Sequence, residues 1–491
     1  MRDTGSSVAS GSDLRFVVRH PDKAYLGSQL FLPRSKVNTL LIKESLLFPI
    51  IINGEVGDLP LWKDAPDHLV VPQNFLSPER LEDMGIEVVD IRARDFPYVD
   101  IRDNVILDFK EPDKDYQTQA FAQWQAAGQR GLLNLACGKG KTVVACKCIA
   151  HSKTPALVIV HTTTILKQWL DRINQFLSFD GEVGLIRGKP ETWDWKRPVT
   201  IAMLKTMALY PDAITKEMRR HFGTVWWDEI HHLAADTYCV TADMFPGKRN
   251  GLSATLSRED GLQPIYLYHI GRPYYTYLLQ EAPTRIYFRE TPFTIDRHPD
   301  VWEQVTDKLG RVNISKLRTY MGSRDDRNEF QAQDLRDAVA AGRKILALSH
   351  SVDQLKLMQE KFPEVSGLCT GRESEKKRWD VLKNKQLIFG THQLVLEAID
   401  EPSIDMIVWL TPFGSRHPEG GINALQQGMG RGQRILEGKP PLIVLFYHDR
   451  AVREFHRMCL KLKQQLSRWP PEKGGPYEFS VIKARQGVDG T

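Results

Sequence analysis

A short stretch in the first third of the chain constrains its fold more than any other feature. Residues 135–142 read LACGKGKT and follow an apolar run of strand type at 131–135. No helix breaker comes directly after Thr142, so the order strand, turn, helix is predicted. Gly138 and Gly140 let backbone N–H groups turn inwards, and the start of the helix adds its positive dipole end. The stretch therefore predicts a phosphate-binding loop.

The side chains of this loop have distinct predicted roles. Lys141 contacts the β and γ phosphates of ATP and Thr142 ligates Mg²⁺, while Lys139 and the two glycines complete the nucleotide-binding set. The general pattern, GxxxxGKT or GxxxxGKS, begins with Gly, whereas this chain has Leu135 at that position. A chance match in a surface loop is therefore the alternative, and the strand and helix on either side argue against it.

Length and composition narrow the remaining choices. A chain of 491 residues exceeds what one core normally organises, so two or three domains are expected. The net charge of +5 and the sequence pI near 8.7 permit contact with nucleic acid without establishing it. The 6 cysteines match neither a disulfide framework nor a zinc spacing, and no apolar run is long enough to cross a membrane. We expect a cytoplasmic protein, bacterial or from a phage-infected cell, without a membrane partner.

Shifts in composition divide the chain into segments. We predict a disordered N-terminus at 1–13, a small α+β accessory domain at 14–105, an ATP-binding lobe at 106–280, a connecting segment at 281–335, a second lobe at 336–470 and a tail at 471–491. The basic residues Lys23, Arg34, Lys36 and Lys43 make the accessory domain a candidate for DNA binding. Scattered surface charge is the alternative explanation for them.

Apolar strand-type runs alternate with amphipathic segments from residue 131 to 253, and the same pattern begins again at 344. Buried runs alternating with helices specify a parallel sheet with helices on both faces. The second repeat has no phosphate loop of its own. The predicted fold class is therefore α/β, with two tandem parallel-sheet lobes and the small N-terminal α+β accessory domain.

Two carboxylates at the end of a buried run form the second strong signal. Asp228 and Glu229 follow the run at 224–227. Asp228 is predicted to hold Mg²⁺ and Glu229 to deprotonate the attacking water, with a pair of surface acids as the alternative. Ser253 and Thr255 end the next strand, where their hydroxyls either hydrogen-bond the acidic pair or cap a helix.

Two polar segments complete the candidate set. Gln117 stands at the start of a predicted helix, where its amide either reads an adenine edge or is simply a polar residue at a helix start. Residues 427–434 read QGMGRGQR. Arg431 and Arg434, on one helical face, are predicted to stabilise charge on the γ-phosphate, with Gln427 in the same frame. Solvated arginines are the alternative.

Taken in order, these motifs resemble those of the superfamily 2 helicases, and within them the branch that contains XPB, the phage UvsW proteins and RadD. The matching segments run from the adenine-reading Gln117 through motif I at 135–142, motif Ia at 160–169, motif II at 228–231, motif III at 253–255, motif V at 390–400 and motif VI at 427–434. Likeness to the XPB branch rests on Cys137, on the run DEIHHLAA from Asp228, and on Arg258-Glu259-Asp260, which is similar to the RED triplet of that branch.

The resemblance implies RecA-like lobes and an ATP-dependent DNA helicase or translocase that uses ATP and Mg²⁺. It implies that Thr162, Thr255 and Thr391 contact nucleic-acid phosphates, and that His231, Ser253 and Thr255 couple these contacts to the nucleotide. The implied substrate is single-stranded, forked or branched DNA in recombination, repair or replication, with recombination or replication proteins as partners. An RNA helicase, or the motor subunit of a restriction or defence complex, is the alternative.

Overall fold

The computed structural model describes residues 20–52, 55–109, 113–234, 238–254, 256, 260–278, 284–296, 298–392, 401–412, 425, 429–430, 432–433, 438–469 and 475–483. Within these ranges no helix is both long and apolar enough to span a bilayer. Two compact units make up the chain: the first is Met1–Leu135, Gly140–Leu256 and Gly261–Thr276, and the second is Ala136–Lys139, Ser257–Asp260 and Tyr277–Thr491. The predicted disordered segment 1–13 lies outside the described residues.

The first unit begins with the accessory domain, which is built on a small sheet. Its elements are β1 (Ala24–Leu26), β2 (Gln29–Pro33), α1 (Thr39–Ser45), β3 (Leu47–Ile52), β4 (Glu55–Pro60), β5 (Lys63–Asp64), β6 (His68–Pro72), α2 (Pro78–Asp83) and β7 (Val88–Asp90). The sheet order is β5-β6-β2-β1-β7, with β1 and β7 parallel, and β3 and β4 form a separate hairpin. This mixture of strands and helices confirms the predicted α+β class.

A seven-stranded sheet forms the centre of the first lobe. The strands of this part of the chain are β8 (Arg102–Asp103), β9 (Gly131–Leu135), β10 (Ala156–Val160), β11 (Leu177–Ser178), β12 (Gly184–Ile186), β13 (Val199–Met203), β14 (Thr224–Asp228), β15 (Lys248–Ser253) and β16 (Pro273–Tyr277). The sheet order is β12-β13-β10-β14-β15-β9-β16, while β8 pairs with β11 outside it. Neighbours from β12 to β9 are parallel. Because β9 and β10 are buried throughout, they are apolar runs without alternation.

In the described residues, six α-helices accompany this sheet: α3 (Tyr116–Ala126), α4 (Lys141–Ser152), α5 (Thr163–Phe176), α6 (Leu204–Leu209), α7 (Lys216–His221) and α8 (Gln263–Ile270). In α5, Ile165, Trp169 and Ile173 recur every four residues and are buried, which is the spacing of one helical face. Helix α4 begins directly at the end of the predicted phosphate loop. The order strand, loop, helix predicted from the sequence is therefore present.

The accessory domain and the first lobe share one core, which includes Ala24 and Leu26 at one end and Ile265 at the other. A buried polar network crosses the seam between these two parts. The Arg249 guanidinium, 1% exposed, donates to the Ser28 carbonyl oxygen at 2.5 Å and lies 3.5 Å from an Asp243 carboxylate oxygen. Since breaking a buried charged network is costly, the two parts form one unit.

The second unit contains another seven-stranded sheet. Its strands are β17 (Thr284–Thr291), β18 (Ile345–Ser349), β19 (Ser366–Cys369), β20 (Leu387–Thr391), β21 (Met406–Trp409), β22 (Leu442–Asp449) and β23 (Phe479–Ile482). The order is β19-β20-β18-β21-β22-β17-β23, and every neighbouring pair is parallel. The helices are α9 (Pro299–Val305), α10 (Ile314–Ser323), α11 (Asp325–Ala340), α12 (Val352–Glu360), α13 (Glu375–Asn384) and α14 (Arg453–Ser467). The predicted second parallel-sheet lobe is confirmed.

The segment at 281–335, predicted as a connection, is part of this second unit. Strand β17 lies inside the sheet, and Arg327 of α11 forms a fully buried, two-point ion pair with Asp449 at the end of β22 (2.9 and 3.1 Å). Strand β23, from the predicted tail, pairs with β17. We therefore propose wider limits for the second lobe, from 284 to 483, in place of a separate connecting segment and tail.

Candidate nucleotide site

The carboxyl ends of four adjacent strands, β10, β14, β15 and β9, meet at one edge of the first sheet. Asp228 at the end of β14 is in register with Leu252 of β15, and the next residue, Ser253, is in register with Asn134 near the end of β9. The acidic strand end, the hydroxyl strand end and the start of the phosphate loop therefore lie side by side. Open parallel sheets bind ligands at this edge, so it is the candidate site.

The loop has the backbone shape that holding phosphate requires. Gly138 and Gly140 have φ of +80° and +79°, which non-glycine residues rarely adopt. A Cβ at position 140 would also lie 2.5 Å from Gln117 Nε2, so a side chain there would displace the Gln117 amide. The Lys141 ammonium donates to the Leu135 carbonyl oxygen at 3.2 Å. The Leu135 side chain is fully buried, so the departure from the general pattern places a core residue at the end of β9.

Asp108 holds Gln117 in place through a contact that no sequence motif indicates. The Asp108 backbone N–H donates to Gln117 Oε1 at 2.7 Å, and its carboxylate accepts from the backbone N–H groups of Gln117 (2.9 Å) and Thr118 (3.1 Å). Asp108 adopts φ +58° and acts as a distant cap for α3. One end of the Gln117 amide is thus fixed, with the other beside Gly140.

The Asp228 carboxylate at the end of β14 has a raised pKa. Trp169 Nε1 donates to Asp228 Oδ2 at 2.8 Å, and the Glu229 backbone N–H donates to Asp228 Oδ1 at 3.0 Å. Burial raises the pKa of Asp228 to about 6, the Glu229 charge adds to the rise, and the Trp169 N–H and Lys141 oppose it. A cation at this carboxylate would remove the cost of its burial. The Trp169 donor is a functional contact that sequence reasoning missed.

Glu229 stands at a sharp change of direction. Its φ is +47°, and a 3₁₀ helix, Ile230–Ala234, follows it. His231 Nδ1 lies 3.5 Å from Glu229 Oε2. The His231 and His232 ring centroids are 4.3 Å apart, and the His232 ring packs at a tilt against His161, the residue after β10, with 3.8 Å between the ring centroids. Burial lowers the pKa of His161 to about 4, so this ring is neutral at physiological pH.

The remaining predicted residues fall in three groups. Thr142 and Lys139 belong to the loop, and Lys139 is buried. Thr162 caps α5, where its hydroxyl accepts from the Ile165 N–H at 3.3 Å; Thr391 ends β20 in the second sheet. Outside the described residues lie Thr255, Arg258, Glu259, Gln427, Arg431 and Arg434, and also 393–400 of motif V.

The residues at this edge fit Mg²⁺ held together with phosphate. In the described part of the chain no three His, Cys, Asp or Glu side chains form a metal cage, and Mg²⁺ typically takes one or two protein oxygens plus phosphates and waters. The Asp228 carboxylate and the Thr142 hydroxyl are such oxygens. Bound there, Mg²⁺ would neutralise charge on the phosphates.

Comparison with known proteins gives a consistent result. The family described as the res subunit of type III restriction enzymes matches residues 110–258. The DNA 3'-5' translocase XPB2 of Sulfurisphaera tokodaii is 32% identical over 201 residues, which are 40% of this chain and 41% of that protein. The DNA 3'-5' helicase XPB of Kineococcus radiotolerans is 25% identical over 320 residues, which are 62% of this chain and 55% of that protein. This chain thus matches only part of the length of either relative.

Among solved structures, S. cerevisiae Dbp5 bound to RNA and ADP BeF3 has a TM-score of 0.50 at 11% identity, covering 75% of this chain and 89% of that chain. This likeness concerns the fold alone and confirms two tandem RecA-like lobes. The family match covers the phosphate loop and the acidic pair, whose side-by-side placement is described above. These similarities are consistent with a DExH-type helicase of superfamily 2 in the XPB-like branch.

Proposed function

We propose that this chain hydrolyses ATP and uses the energy to move along DNA and to remodel forked or branched DNA in recombination, repair or replication. The observation that carries the proposal is the edge of the first sheet, where the loop, the Asp228-Glu229 pair and Ser253 lie on adjacent strands. The relatives named above as DNA translocase and DNA helicase support DNA as the substrate.

In the proposed reaction the loop residues bind the nucleotide phosphates, and the acidic pair holds the metal ion and activates water. Backbone N–H groups around Gly138 and Gly140 hold phosphate oxygens, and Lys141 exchanges the Leu135 carbonyl for the β and γ phosphates. Glu229 takes a proton from the attacking water while Asp228 and Thr142 hold Mg²⁺. Gln117 contacts the adenine.

In this proposal the second lobe supplies further side chains for hydrolysis and for contact with nucleic acid. Gln427, Arg431 and Arg434 stabilise charge that develops on the γ-phosphate. Thr162, Thr255 and Thr391 contact the nucleic-acid backbone, and His231 and Ser253 couple these contacts to the state of the nucleotide. Recombination or replication proteins are the proposed partners.

ATPase stimulation tests the proposal directly. Hydrolysis is measured with forked DNA, branched DNA, single-stranded DNA, duplex DNA and RNA, with Lys141→Ala as the inactive control. We expect the greatest stimulation with forked or branched DNA. Stimulation by RNA alone would replace DNA by RNA as the substrate, and an ATPase indifferent to every nucleic acid would contradict movement on DNA.

A second candidate is the motor subunit of a restriction or defence complex. It is favoured by the match of residues 110–258 to the res subunit family. This candidate requires a partner nuclease in a separate chain. Affinity purification of the tagged chain from its native cells, followed by a nuclease assay with and without ATP, distinguishes the two functions, because only the second predicts ATP-dependent cleavage in the purified assembly.

A further inference from the structure

Positive charge gathers at the edge of the first sheet that lies opposite the candidate nucleotide site. Arg130 directly precedes β9, and Lys248 is the first residue of β15, the strand that pairs with β9. Both side chains are half-buried, and Lys248 Nζ donates to Gln129 Oε1 at 2.5 Å. In a parallel sheet the amino ends of strands lie away from the carboxyl ends. This group is therefore separate from the phosphate loop.

The accessory domain adds two arginines beside the same edge. Asp90, the last residue of β7, is bound by Arg92 at 2.7 Å and by Arg94 at 3.2 Å. Asp90 is in register with Leu26 of β1, and two residues further along the chain the Ser28 carbonyl accepts from Arg249 of β15. The seam thus brings the end of β7 close to the start of β15. We call Arg92, Arg94, Arg130 and Lys248 the seam cluster.

The seam cluster has more positive than negative charge. Among the described residues, neither Arg130 nor Lys248 has a carboxylate within ion-pair distance, and Asp90 already binds the two accessory arginines. Burial, then the nearby Arg92 and Arg249, lowers the pKa of Arg130 to about 10, and Asp90 opposes the shift. Burial together with Arg130 lowers the pKa of Lys248. Because both cations are partly desolvated beside like charge, an anion would stabilise them.

The cations proposed from the sequence differ from this cluster. Lys23 pairs with Glu87 at 2.6 Å, Lys43 pairs with Asp64 at 2.8 Å, and Arg34 contacts Asp64 as well. Arg34 and Lys43 share one carboxylate, as Arg92 and Arg94 share Asp90. What distinguishes the seam cluster is the further presence of Arg130 and Lys248, which are half-buried beside the accessory arginines.

We propose that the seam cluster binds the phosphodiester backbone of a nucleic acid, at the edge of the first sheet opposite ATP. Three of its four members are arginines, whose forked guanidinium matches phosphate, and several excess cations suit a repeating polyanion better than a single carboxylate. The choice of a nucleic acid rests on the proposed function, whereas the charge imbalance does not. Contact here would hold DNA against the first unit whatever the state of the nucleotide.

The test uses Arg94→Gln, Arg130→Gln and the double variant in the full chain. Binding to fluorescent single-stranded and duplex DNA is measured without nucleotide over a range of salt concentrations. Each single change should reduce the slope of log affinity against log salt by about 1, and the double change by about 2. Arg102→Gln is the matched control, because Arg102 is an exposed arginine in the same chain segment, 3.5 Å from Asp100, and should leave the slope unchanged.

The other outcomes are equally informative. An unchanged slope in the double variant overturns the proposal, and because the Arg94 side chain is 76% exposed, its single variant keeps the test valid even if Arg130→Gln folds poorly. If inorganic phosphate raises the melting temperature of the parent but not of the double variant while the DNA slope is unchanged, the site takes free phosphate and the nucleic-acid assignment is wrong. ATPase activity, measured separately, decides the proposed function independently of this slope.

Discussion

The two sheets have the same parallel construction but carry opposite chemistry at their carboxyl edges. In the first, β14 ends in Asp228, whose pKa is raised to about 6 chiefly by burial. In the second, β18, β20 and β21 lead to a hydrogen-bonded pair of imidazoles, His350 and His392, 2.9 Å apart, with Thr411 Oγ1 2.9 Å from His350 Nδ1. Burial lowers the pKa of His350 to about 3 and also lowers that of His392.

The comparison shows that the shared parallel-sheet architecture determines only where side chains can stand at the carboxyl edge of each sheet. At the first edge a buried acid gains from a cation, as a metal-dependent site requires. At the second edge the histidines are neutral, and the nearby Arg318, whose pKa burial lowers to about 10, donates to the Pro412 carbonyl. The residues that follow each strand therefore decide what each lobe does.

The largest predicted effect concerns activity at the first edge. Glu229→Gln should lower the ATP hydrolysis rate by about 10²–10⁴-fold, because an amide cannot accept the proton from water, and nucleotide binding should persist. The equivalent disruption of the second edge, His392→Asn, should leave nucleotide binding intact. Turnover assays and titration with a fluorescent nucleotide measure both. Hydrolysis above a tenth of the parent rate in Glu229→Gln would remove Glu229 from its proposed role.

The next effect concerns stability in the second unit. Asp449→Ala leaves Arg327 buried without its partner, which should cost about 3–5 kcal/mol of unfolding free energy. Arg450→Ala removes an exposed arginine that pairs with the partly buried Glu290 (3.3 Å) and should cost about 1 kcal/mol or less. Hydrogen exchange in β22, compared with β14, assigns the loss to one unit. Equal protection of β22 in both variants would show that the buried pair is not what stabilises this sheet.

A smaller effect concerns Mg²⁺ at the first edge. Trp169→Phe removes the N–H donor to Asp228, a charged hydrogen bond worth about 1.5–3 kcal/mol, so the Mg²⁺ concentration for half-maximal ATPase activity should change by roughly 10- to 100-fold. Trp124→Phe is the control, because Trp124 is equally buried but donates to Asn250 at 2.9 Å, away from the acidic pair. A similar shift in both variants would mean that only packing was disturbed.

The smallest effect is a difference in pH dependence between the two units. The lowered His350 pKa means that the unfolded state binds more protons below pH 6.5, so this histidine makes the second unit lose stability as pH falls, by at most about 1.4 kcal/mol per pH unit. His392 adds a slope of the same sign. In the metal-free first unit the raised Asp228 pKa, from 3.8 to about 6, contributes the opposite sign, and the lowered His161 pKa opposes it. Hydrogen exchange corrected for intrinsic rates should therefore show a steeper slope in the second unit than in the first, and His350→Asn should flatten the steeper one.

Much of the fold follows from the sequence because it depends on local pattern. The runs at β10, β13 and β20 are mainly apolar, Pro155 and Pro198 directly precede the first two, and each run is a strand of a parallel sheet. Strands β17 and β23 escaped notice because β17 carries Arg285, Arg289 and Glu290, and β23 is short and mostly exposed. A charged strand beside a short edge strand has no apolar run to reveal it.

The candidate site could be predicted only in part, for a similar reason. Lys141, Asp228 and Glu229 stand in compact motifs, where spacing along the chain fixes spacing in the fold. The contacts from Asp108 to Gln117, from Trp169 to Asp228 and from Arg327 to Asp449 span 9, 59 and 122 residues. Such pairs depend on how whole elements pack, and no local pattern in one sequence records them.

The backbone conformation of Glu229 opposes catalytic activity to the stability of the fold. Its φ of +47° is a conformation that costs a residue with a side chain about 1–2 kcal/mol. Gly or Asn would relieve that cost, and neither can accept a proton from water as a carboxylate does. A population of variants selected for heat resistance alone would therefore drift towards Gly or Asn at this position and lose turnover. Wherever a carboxylate persists here under such selection, demand for catalysis has outweighed the gain in stability.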